Sequence, residues 1–278
     1  MRGWTLTLKT KVEEDLDAAG LSAITQSLSD VEVAKIQLPT TRGQHLVMSS
    51  SSVCAGDLFR IERRDDMQCV MRGDLSRLHR IGAGWQHHPL RVEGNVGNGL
   101  GVSMRSGSVD VEGHAGCGLA TQLVGGTLRI TGNVGDDLGG PLPGRRSGMS
   151  GGRVVVKGNA GNAVGFRLRR GLIVIDGDCG DAVGCDMVAG SIVIAGRFGA
   201  HAGAGMKRGT LILGNEPTLA PARFTAPRDV TLGVAMLMAS DITDVAPAMA
   251  SRLRSPSMKR SLGDLSAGGR GEVWWFSP

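Results

Sequence analysis

The sequence predicts an all-β fold, a right-handed parallel β-helix, and three observations support that prediction. Glycine accounts for 44 of the 278 residues, and aromatic residues make up only 3% of the chain. The glycines mark a repeat that reads apolar-x-apolar-x-Gly-x-x-Gly, found at residues 90–97, 109–116, 128–135, 154–161, 173–180 and 192–199. The first glycines of these segments are spaced by 19, 19, 26, 19 and 19 residues. Self-similarity at a fixed period is typical of repeat architectures.

Each repeat holds one short strand, because its glycines leave no window long enough for a helix. Two flanking strand positions are apolar in every copy, as Leu90 and Val92 are in the first, and alternation places such a pair on one face. Three further positions per repeat stay small or apolar. Five inward positions predict a closed coil that stacks on its neighbour at roughly 4.8 Å. We therefore expect a solenoid of about 19-residue coils over residues 45–214.

The corner glycines of these coils have a structural explanation. A short coil turns sharp corners, which need a positive φ or leave no room for a side chain. The corner positions are Gly94, Gly113, Gly132, Gly158, Gly177 and Gly196. A phosphate-binding loop is the functional alternative, but no copy precedes a helical pattern and no Gly-Lys-Ser/Thr follows.

The regions on either side of the solenoid lack its glycine rhythm. Residues 1–44 are expected to form an irregular extension with short helical turns that cap the open end. Residues 58–61 and 75–82 look like degenerate first coils. Residues 215–278 form a C-terminal extension that ends in Trp274, Trp275 and Phe276. Exposing three aromatic rings is costly, so the extension is expected to pack on the solenoid or on a partner.

The outward strand positions predict an apolar surface that must be covered. This position carries Arg91, Asp110 and Arg129 in the first repeats. It continues as an aliphatic ladder of Val155, Val174, Val193 and Ile212. Leaving one such side chain in water, rather than burying it, costs roughly 1.5–3 kcal/mol of folding free energy. Either the C-terminal extension or a partner subunit is expected to cover the ladder.

A second outward row is basic, and we call it the basic edge. It consists of Arg105, Arg169 and Lys207, with Arg145 and Arg146 from the insertion that lengthens the third interval. Like charges on one edge repel unless acids approach them. The edge is therefore expected to be solvated or to contact an acidic partner surface or an anionic ligand tail. A net charge of +5 is too small to indicate dedicated nucleic-acid binding.

Catalytic and metal-binding patterns are missing from the sequence. The five cysteines (Cys54, Cys69, Cys117, Cys179 and Cys185) form no Cys-x-x-Cys pair, which favours free buried thiols over metal ligation. The histidines fall in no metal-binding spacing, His87 and His88 being adjacent. We therefore predict no catalytic, cofactor or metal residue in this chain. Some parallel β-helix enzymes carry catalytic acids on an outer face. In this sequence, the residues that best match such acids are Glu93, Asp110 and Glu112.

Membrane and secretion signals are also missing. No apolar run reaches the roughly 18 residues of a membrane span, and the start of the chain lacks a signal-peptide apolar stretch. We expect a cytoplasmic protein without membrane contact.

Motifs around the repeats indicate a family. They are Gly56-Asp57-Leu58-Phe59, the Gly73-Asp74-Leu75-Ser76-Arg77 segment, Leu262-Gly263-Asp264 and Gly271-Glu272-Val273. With the repeats, they resemble the C subunit of formylmethanofuran dehydrogenase and of the formyltransferase/hydrolase complex of methylotrophic bacteria. The repeats also resemble the β-helical domain at the end of the glutamate synthase large subunit, although this chain is far too short to carry the catalytic domains of that enzyme.

The resemblance implies a non-catalytic scaffold subunit in an assembly whose other subunits do the chemistry. A formyltransferase subunit would move a formyl group between tetrahydromethanopterin and methanofuran. A metal-dependent hydrolase subunit would release formate in bacterial one-carbon oxidation, and a further subunit is expected. The Arg-rich, Lys-poor composition suggests a GC-rich bacterial genome, which favours this hydrolytic version.

Three alternatives remain open at this point. The chain would also suit the C subunit of a tungsten- or molybdenum-containing formylmethanofuran dehydrogenase. It would otherwise be a stand-alone β-helix enzyme or carrier-binding module. The third lies between the scaffold and the stand-alone module: Arg145, Arg146 and Arg169 of the basic edge would guide the glutamate-rich tail of a methanofuran-like carrier.

Overall fold

The computed structural model describes residues 3–24, 28–42, 47–86, 88–231, 233–254 and 258–276. The strands are β1 (Gly3–Leu8), β2 (Leu16–Asp17), β3 (Gln37–Arg42), β4 (Val47–Cys54), β5 (Phe59–Arg64), β6 (Cys69–Arg72), β7 (Leu78–His79), β8 (Leu90–Glu93), β9 (Ser108–Glu112), β10 (Thr127–Ile130), β11 (Ser150–Val156), β12 (Arg170–Ile175), β13 (Ser191–Ile194), β14 (Arg208–Leu213), β15 (Arg228–Val230), β16 (Met258–Gly263) and β17 (Arg270–Phe276). The helices are α1 (Asp30–Ala34), α2 (Ala55–Leu58), α3 (Gly233–Ile242) and α4 (Pro247–Leu253), with 3-10 turns at Ala18–Ala23 and Leu265–Ala267.

Thirteen of the described strands form one large sheet, in the order β15-β16-β17-β14-β13-β12-β11-β10-β9-β8-β6-β1-β5. All neighbouring pairs from β1 to β17 in this order are parallel, with one register shift between β11 and β12. Antiparallel strands flank this parallel series, β5 on one side and β16 with β15 on the other. The protein is therefore mostly β and is organised around a large parallel sheet. A smaller sheet has the order β4-β3-β2-β7.

Successive repeats also pair outside the large sheet. A series of parallel bridges joins Leu75, Val96, Ala115, Val134, Ala160 and Cys179. In the turn that follows, the Arg80 amide donates to the Asn98 carbonyl at 2.7 Å and the Gly99 amide to the Cys117 carbonyl at 2.8 Å. Each repeat thus bonds to the next in its strand, in a second short segment and in the turn after it.

The inward positions form one continuous hydrophobic core. Side chains of the strand pairs are buried in every repeat, and Leu128, Val154 and Ile173 are fully buried. A row of long side chains also belongs to this core, and all six are fully buried: Met104, Leu123, Met149, Leu168, Met187 and Met206. Flexible methionine side chains fill the space that aromatic rings fill in other cores. Trp4 on β1 and Trp275 on β17 lie on the first and last strands of the parallel series.

The corner glycines stack directly on one another. A Cβ atom on Gly113 would lie 2.5 Å from the carbonyl oxygen of Gly94, and one on Gly177 would lie 2.6 Å from that of Gly158. Real Cβ atoms essentially never come within 3.0 Å of another heavy atom. A side chain at these positions would therefore force neighbouring repeats apart. Close approach of two backbones requires the glycines here.

The N-terminal residues contribute to the large sheet. β1 lies between β6 and β5, and β5 is antiparallel to it, so the expectation that residues 58–61 form a degenerate coil is wrong. The short apolar pattern of that strand is equally compatible with parallel and antiparallel pairing. Leu75, by contrast, bridges Val96 as a repeat would. Helical turns occur at Ala18–Ala23, and the expected boundary at 44/45 lies outside the described residues.

The C-terminal segment covers the aliphatic ladder. Val155, Val174, Val193 and Ile212 are at most 1% exposed and form a second hydrophobic cluster with side chains of α3 and α4. β17 then adds a parallel strand next to β14, which places Trp274 beside Ile212 and Trp275 beside Leu213. The chain itself, rather than a partner subunit, buries this surface.

Asp264 anchors the last strands to the repeats. Its side chain is fully buried, accepts hydrogen bonds from the Gly205 amide at 3.0 Å and the Ser266 amide at 2.9 Å, and pairs with Arg223. Desolvation acts to raise the pKa of this carboxyl, but the hydrogen bonds outweigh it and hold the pKa at about 2. The carboxylate is therefore stabilised in its charged form.

Replacing Gly177 with alanine should destabilise the stack. The new Cβ would meet the Gly158 carbonyl oxygen at 2.6 Å, which we expect to lower the free energy of unfolding by about 1–3 kcal/mol. Thermal unfolding measured by circular dichroism checks the prediction. Gly233→Ala is the control, because a Cβ at that position meets nothing within 4 Å. An unchanged midpoint for Gly177→Ala would contradict the stacking of these glycines.

Replacing Asp264 with asparagine should destabilise the protein in a pH-dependent way. A folded-state pKa of about 2, against an ordinary value of 3.8, corresponds to about 2 kcal/mol of stability at neutral pH. Because the folded pKa is lowered, that stability is present above pH 4 and disappears as the pH falls towards 2. Denaturant unfolding of both proteins at several pH values measures the difference. A difference that stays constant down to pH 2 would rule out this ion pair as its source.

Candidate partner interface

Three cations of the basic edge occupy equivalent places in their repeats. The backbone amides of Arg105, Arg169 and Lys207 each donate to the preceding repeat, to Trp85 at 2.9 Å, Met149 at 2.9 Å and Met187 at 2.7 Å. All three side chains are exposed. The intervening repeats carry Val124, Ser150 and Val188 at this place. The structure therefore brings these cations to one edge of the stack, with neutral residues between them.

A second set of cations follows immediately along the chain. Arg170 and Arg208 come directly after Arg169 and Lys207, and Arg208 pairs in register with Arg270 on β17. All of these side chains are exposed. Like charges on directly opposed residues of neighbouring strands are destabilising. Arg270 was not among the predicted cations, because the register of β17 could not be read from the repeats.

The insertion with Arg145 and Arg146 leaves the stack near the same edge. It lies between Gly140 and Gly148, and the Gly148 amide donates to the Arg167 carbonyl at 3.0 Å, two residues before Arg169. Both inserted arginine side chains are exposed.

The basic edge differs from the other arginines of the outward strand face. Arg91 pairs with Glu112 at 2.6 Å, and Arg129 pairs with Asp110 at 3.4 Å. For the side chains of the basic edge (Arg105, Arg145, Arg146, Arg169 and Lys207) and of Arg170, Arg208 and Arg270, the described residues provide no ion pair. An exposed edge of this kind attracts carboxylates.

The acids considered for a stand-alone enzyme are engaged in ion pairs. Glu93 binds Arg72 at 2.7 Å, and Asp110 and Glu112 bind arginines of the same face. The alternating charges thus neutralise each other across neighbouring strands. Within the described ranges, no group of three or more His, Cys, Asp or Glu residues is placed to hold a metal ion.

Two polar ladders that sequence reasoning missed run along the stack. In the first ladder, a side chain accepts a hydrogen bond from the backbone amide of the equivalent residue in the next repeat. Asn95 Oδ1 accepts from the His114 amide at 2.9 Å, and Asn159 Oδ1 accepts from the Asp178 amide at 2.8 Å. In the second, Asn162 Oδ1 accepts from the Asp181 amide at 2.8 Å. The signal was present in the sequence, since a polar residue follows most glycines of the Gly-x-x-Gly pairs. These polar residues satisfy backbone amides at the corners.

Among the described residues, the histidines and cysteines form no common site. His79 is buried and its Nδ1 accepts from the Asn98 amide at 2.9 Å, while His201 is exposed. His45 and His87 lie outside the described residues. All five cysteines are free thiols, but the expectation that they are buried holds only for Cys69 and Cys179, and it is wrong for Cys117, which is exposed. Burial raises the pKa of the Cys69 thiol to about 12, and burial beside Asp178 does the same for the pKa of Cys179.

The outer face of α3 is an apolar surface that the C-terminal segment leaves in solvent. Its inner side packs on the aliphatic ladder through Ala235 and Ala239. Its outer side exposes Val234, Met236 and Leu237, at 48%, 59% and 67% of their surface. Contiguous exposed apolar patches are typical of protein interaction sites.

The fold and these surfaces define a class: a mostly β repeat protein that presents a basic edge and an apolar helix face. Similarity to known proteins places it within a family. Over 97 residues the chain is 36% identical to the C subunit of the formyltransferase/hydrolase complex (Fhc) of Methylorubrum extorquens, an alignment that spans only 34% of this chain and 34% of that relative. No protein-family model matches the chain.

A solved structure extends the likeness to the whole chain. The crystal structure of the formyltransferase/hydrolase complex FhcABCD from Methylorubrum extorquens, in complex with methylofuran, contains a chain that is 34% identical with a TM-score of 0.88. The match covers 99% of this chain and 100% of that chain. The chain belongs to the family of the C subunit of the formyltransferase/hydrolase complex, which confirms the resemblance to that subunit. In the part of the chain that the structure describes, no helix is long and apolar enough to cross a membrane.

The thiols should differ sharply in reactivity. Cys117 is exposed, whereas Cys69 and Cys179 are buried with a pKa of about 12, so little thiolate forms there near pH 8. We expect Ellman's reagent to label Cys117 first and Cys69 and Cys179 only after unfolding. Mass spectrometry of labelled peptides identifies the sites, and Cys117→Ser should remove the fastest phase. Rapid labelling of Cys69 in folded protein would contradict its burial.

Proposed function

We propose that this chain is a structural subunit of a formyltransferase/hydrolase complex and holds its catalytic neighbours in place. The whole-length likeness to a chain of the FhcABCD crystal structure, at 34% identity, is the observation that carries the proposal. Exposed basic and apolar surfaces on one chain support it, because a subunit between several partners needs more than one contact surface.

The chemistry belongs to the other subunits in this proposal. A formyltransferase subunit transfers a formyl group from tetrahydromethanopterin to a methanofuran-type carrier, and a metal-dependent hydrolase subunit releases formate. The methylofuran in the related crystal structure supports such a carrier. This chain itself binds no cofactor and acts in the cytoplasm. The assembly also includes a further subunit, as the four letters of FhcABCD suggest.

A stiff parallel β-helix would suit this role. We propose that the repeats from β6 to β14 wind as a right-handed solenoid, with the segments before and after them as extensions at its ends. The expected range of 45–214 is too long, because β4 and β5 pair antiparallel and lie outside the coils. Pairing between repeats at the strand, the second segment and the turn supports this description. Such a stack keeps points on its surface at fixed multiples of roughly 4.8 Å.

The basic edge is the proposed contact for an acidic neighbour. Arg105, Arg169 and Lys207 stand at equivalent positions, with Arg145 and Arg146 nearby, and none has an acidic partner among the described residues. Complementary charge steers association and fixes the register of an interface. Interfaces between permanent partners commonly bury over roughly 2,000 Å², so the basic edge is one part of a larger contact.

Charge reversal on the basic edge should weaken assembly. We expect Arg169→Glu with Lys207→Glu to reduce the other subunits retained by the tagged chain at least ten-fold near 0.15 M salt, because attraction becomes repulsion. Co-expression with the other subunits and quantitative mass spectrometry of the purified complex measure this retention. Arg60→Glu is the control, since Arg60 is exposed on β5, the last strand at the opposite end of the sheet.

Each outcome of that experiment is informative. Retention equal to the wild type would refute the basic edge as a contact between subunits. Intact assembly with a loss of bound carrier would assign the edge to the anionic carrier tail instead. A wild-type chain that retains no other subunit would refute the structural role itself.

A further inference from the structure

The first two turns of α3 are apolar on all sides, although only one side of them is buried. Six consecutive residues, Val234 to Ala239, are apolar. A helix that is hydrophobic all round belongs in an interior. Here Ala235, Ala239 and Ile242 are buried against the aliphatic ladder, while Met236 and Leu237 remain in solvent. This composition is typical of a helix that is buried on its outer side as well as on its inner side.

A groove of about 400 Å³ lies directly beside this exposed face. Leu172 on β12, Val234 and Met238 on α3, and Trp274 on β17 form its apolar walls. Two of these elements, β12 and β17, are strands of the large sheet, and the third, α3, packs on that sheet. The groove and the outer face share Val234 and therefore form one continuous surface.

The polar lining of the groove has one sign of charge. It includes the carboxylates of Asp241 and Glu272, and none of the described lining residues is Lys, Arg or His. Glu272 already accepts from Trp274 Nε1 at 2.7 Å and lies 3.7 Å from Arg260. Asp241 is exposed, and no described cation pairs with its carboxylate. Arg153 donates to the Asp241 backbone carbonyl and pairs with the Asp244 carboxylate instead.

We propose that this surface is a second docking site, for a segment of a neighbouring subunit that places an arginine or lysine in the groove. The aliphatic stem of that residue lies along the apolar walls, and its charged head reaches Asp241. Apolar residues on either side of it cover Val234, Met236 and Leu237. The inference rests on the proposed function and adds a partner of opposite charge to the one that the basic edge attracts.

The experiment uses the co-expressed complex with variants at this surface. Leu237→Asp and Asp241→Lys should each lower the retained neighbour at least ten-fold, and Asp241→Asn should lower it less, because it removes the charge without reversing it. Matched controls are Leu265→Asp, at a site 47% exposed elsewhere, and Asp57→Lys on α2. The melting midpoint of each isolated variant should equal the wild type, since both replaced side chains are exposed.

A photo-crosslinking residue at position 237 identifies the occupant directly. The inference predicts a crosslink to another subunit, in a segment that contains Arg or Lys. A crosslink to a second copy of this chain, or to a segment without either cation, would overturn it. Retention of the neighbour equal to the wild type in both Leu237→Asp and Asp241→Lys would overturn it while leaving the proposed function intact. Failure of the wild-type chain to retain any subunit would instead overturn both.

Discussion

In-register hydrogen bonding between each repeat and the next is the constraint on which the rest of the structure depends. At the corners, the Gly132 amide donates to the Gly113 carbonyl at 2.9 Å and the Gly177 amide to the Gly158 carbonyl at 3.2 Å. Bonds this direct leave no space for a Cβ atom, which explains why glycine recurs with the period of the repeat. The same register aligns the methionines and aliphatic side chains into one core.

A parallel stack also creates two problems, and the chain termini address both. Its end strands present unpaired backbone groups, which antiparallel strands cover at each end, β5 next to β1 and β16 next to β17. Its outward face carries an aliphatic ladder, which α3 and α4 cover. The ladder is thereby buried, but α3 in turn exposes apolar side chains on its outer side. The basic edge and this helix face are then available for different partners.

Much of this architecture could be predicted because the repeat keeps its length in all but one interval. The 19-residue interval, lengthened once to 26, determines which residues lie beside each other, as Val109 and Leu90 do on β9 and β8. The sequence predicts that the aromatic C-terminus docks, but it does not predict that the segment docks as a parallel strand beside β14. Nothing in the residues near Trp274 specifies a partner so distant in sequence.

Other features could not be predicted, for identifiable physical reasons. The strand Phe59–Arg64 carries too few apolar residues to distinguish antiparallel from parallel pairing. The polar ladders have no single-residue signature in the sequence, because Asn95, His114 and Asn133 accept the same hydrogen bond with different side chains. An outward aliphatic ladder looks the same in the sequence whether the C-terminal extension or a partner subunit covers it. Only the tertiary structure distinguishes these two possibilities. The relation to glutamate synthase stays a prediction.

A distance measured along the stack tests the central claim most directly. Spin labels on cysteines placed at positions 105 and 207 would be separated by five repeats, or ~24 Å between their backbones at the spacing of paired strands. The accessible native thiols Cys54, Cys117 and Cys185 would first be replaced by serine. Double electron–electron resonance should then give a single narrow distribution near this distance. A broad distribution, or one centred beyond ~40 Å, would contradict in-register stacking of the repeats.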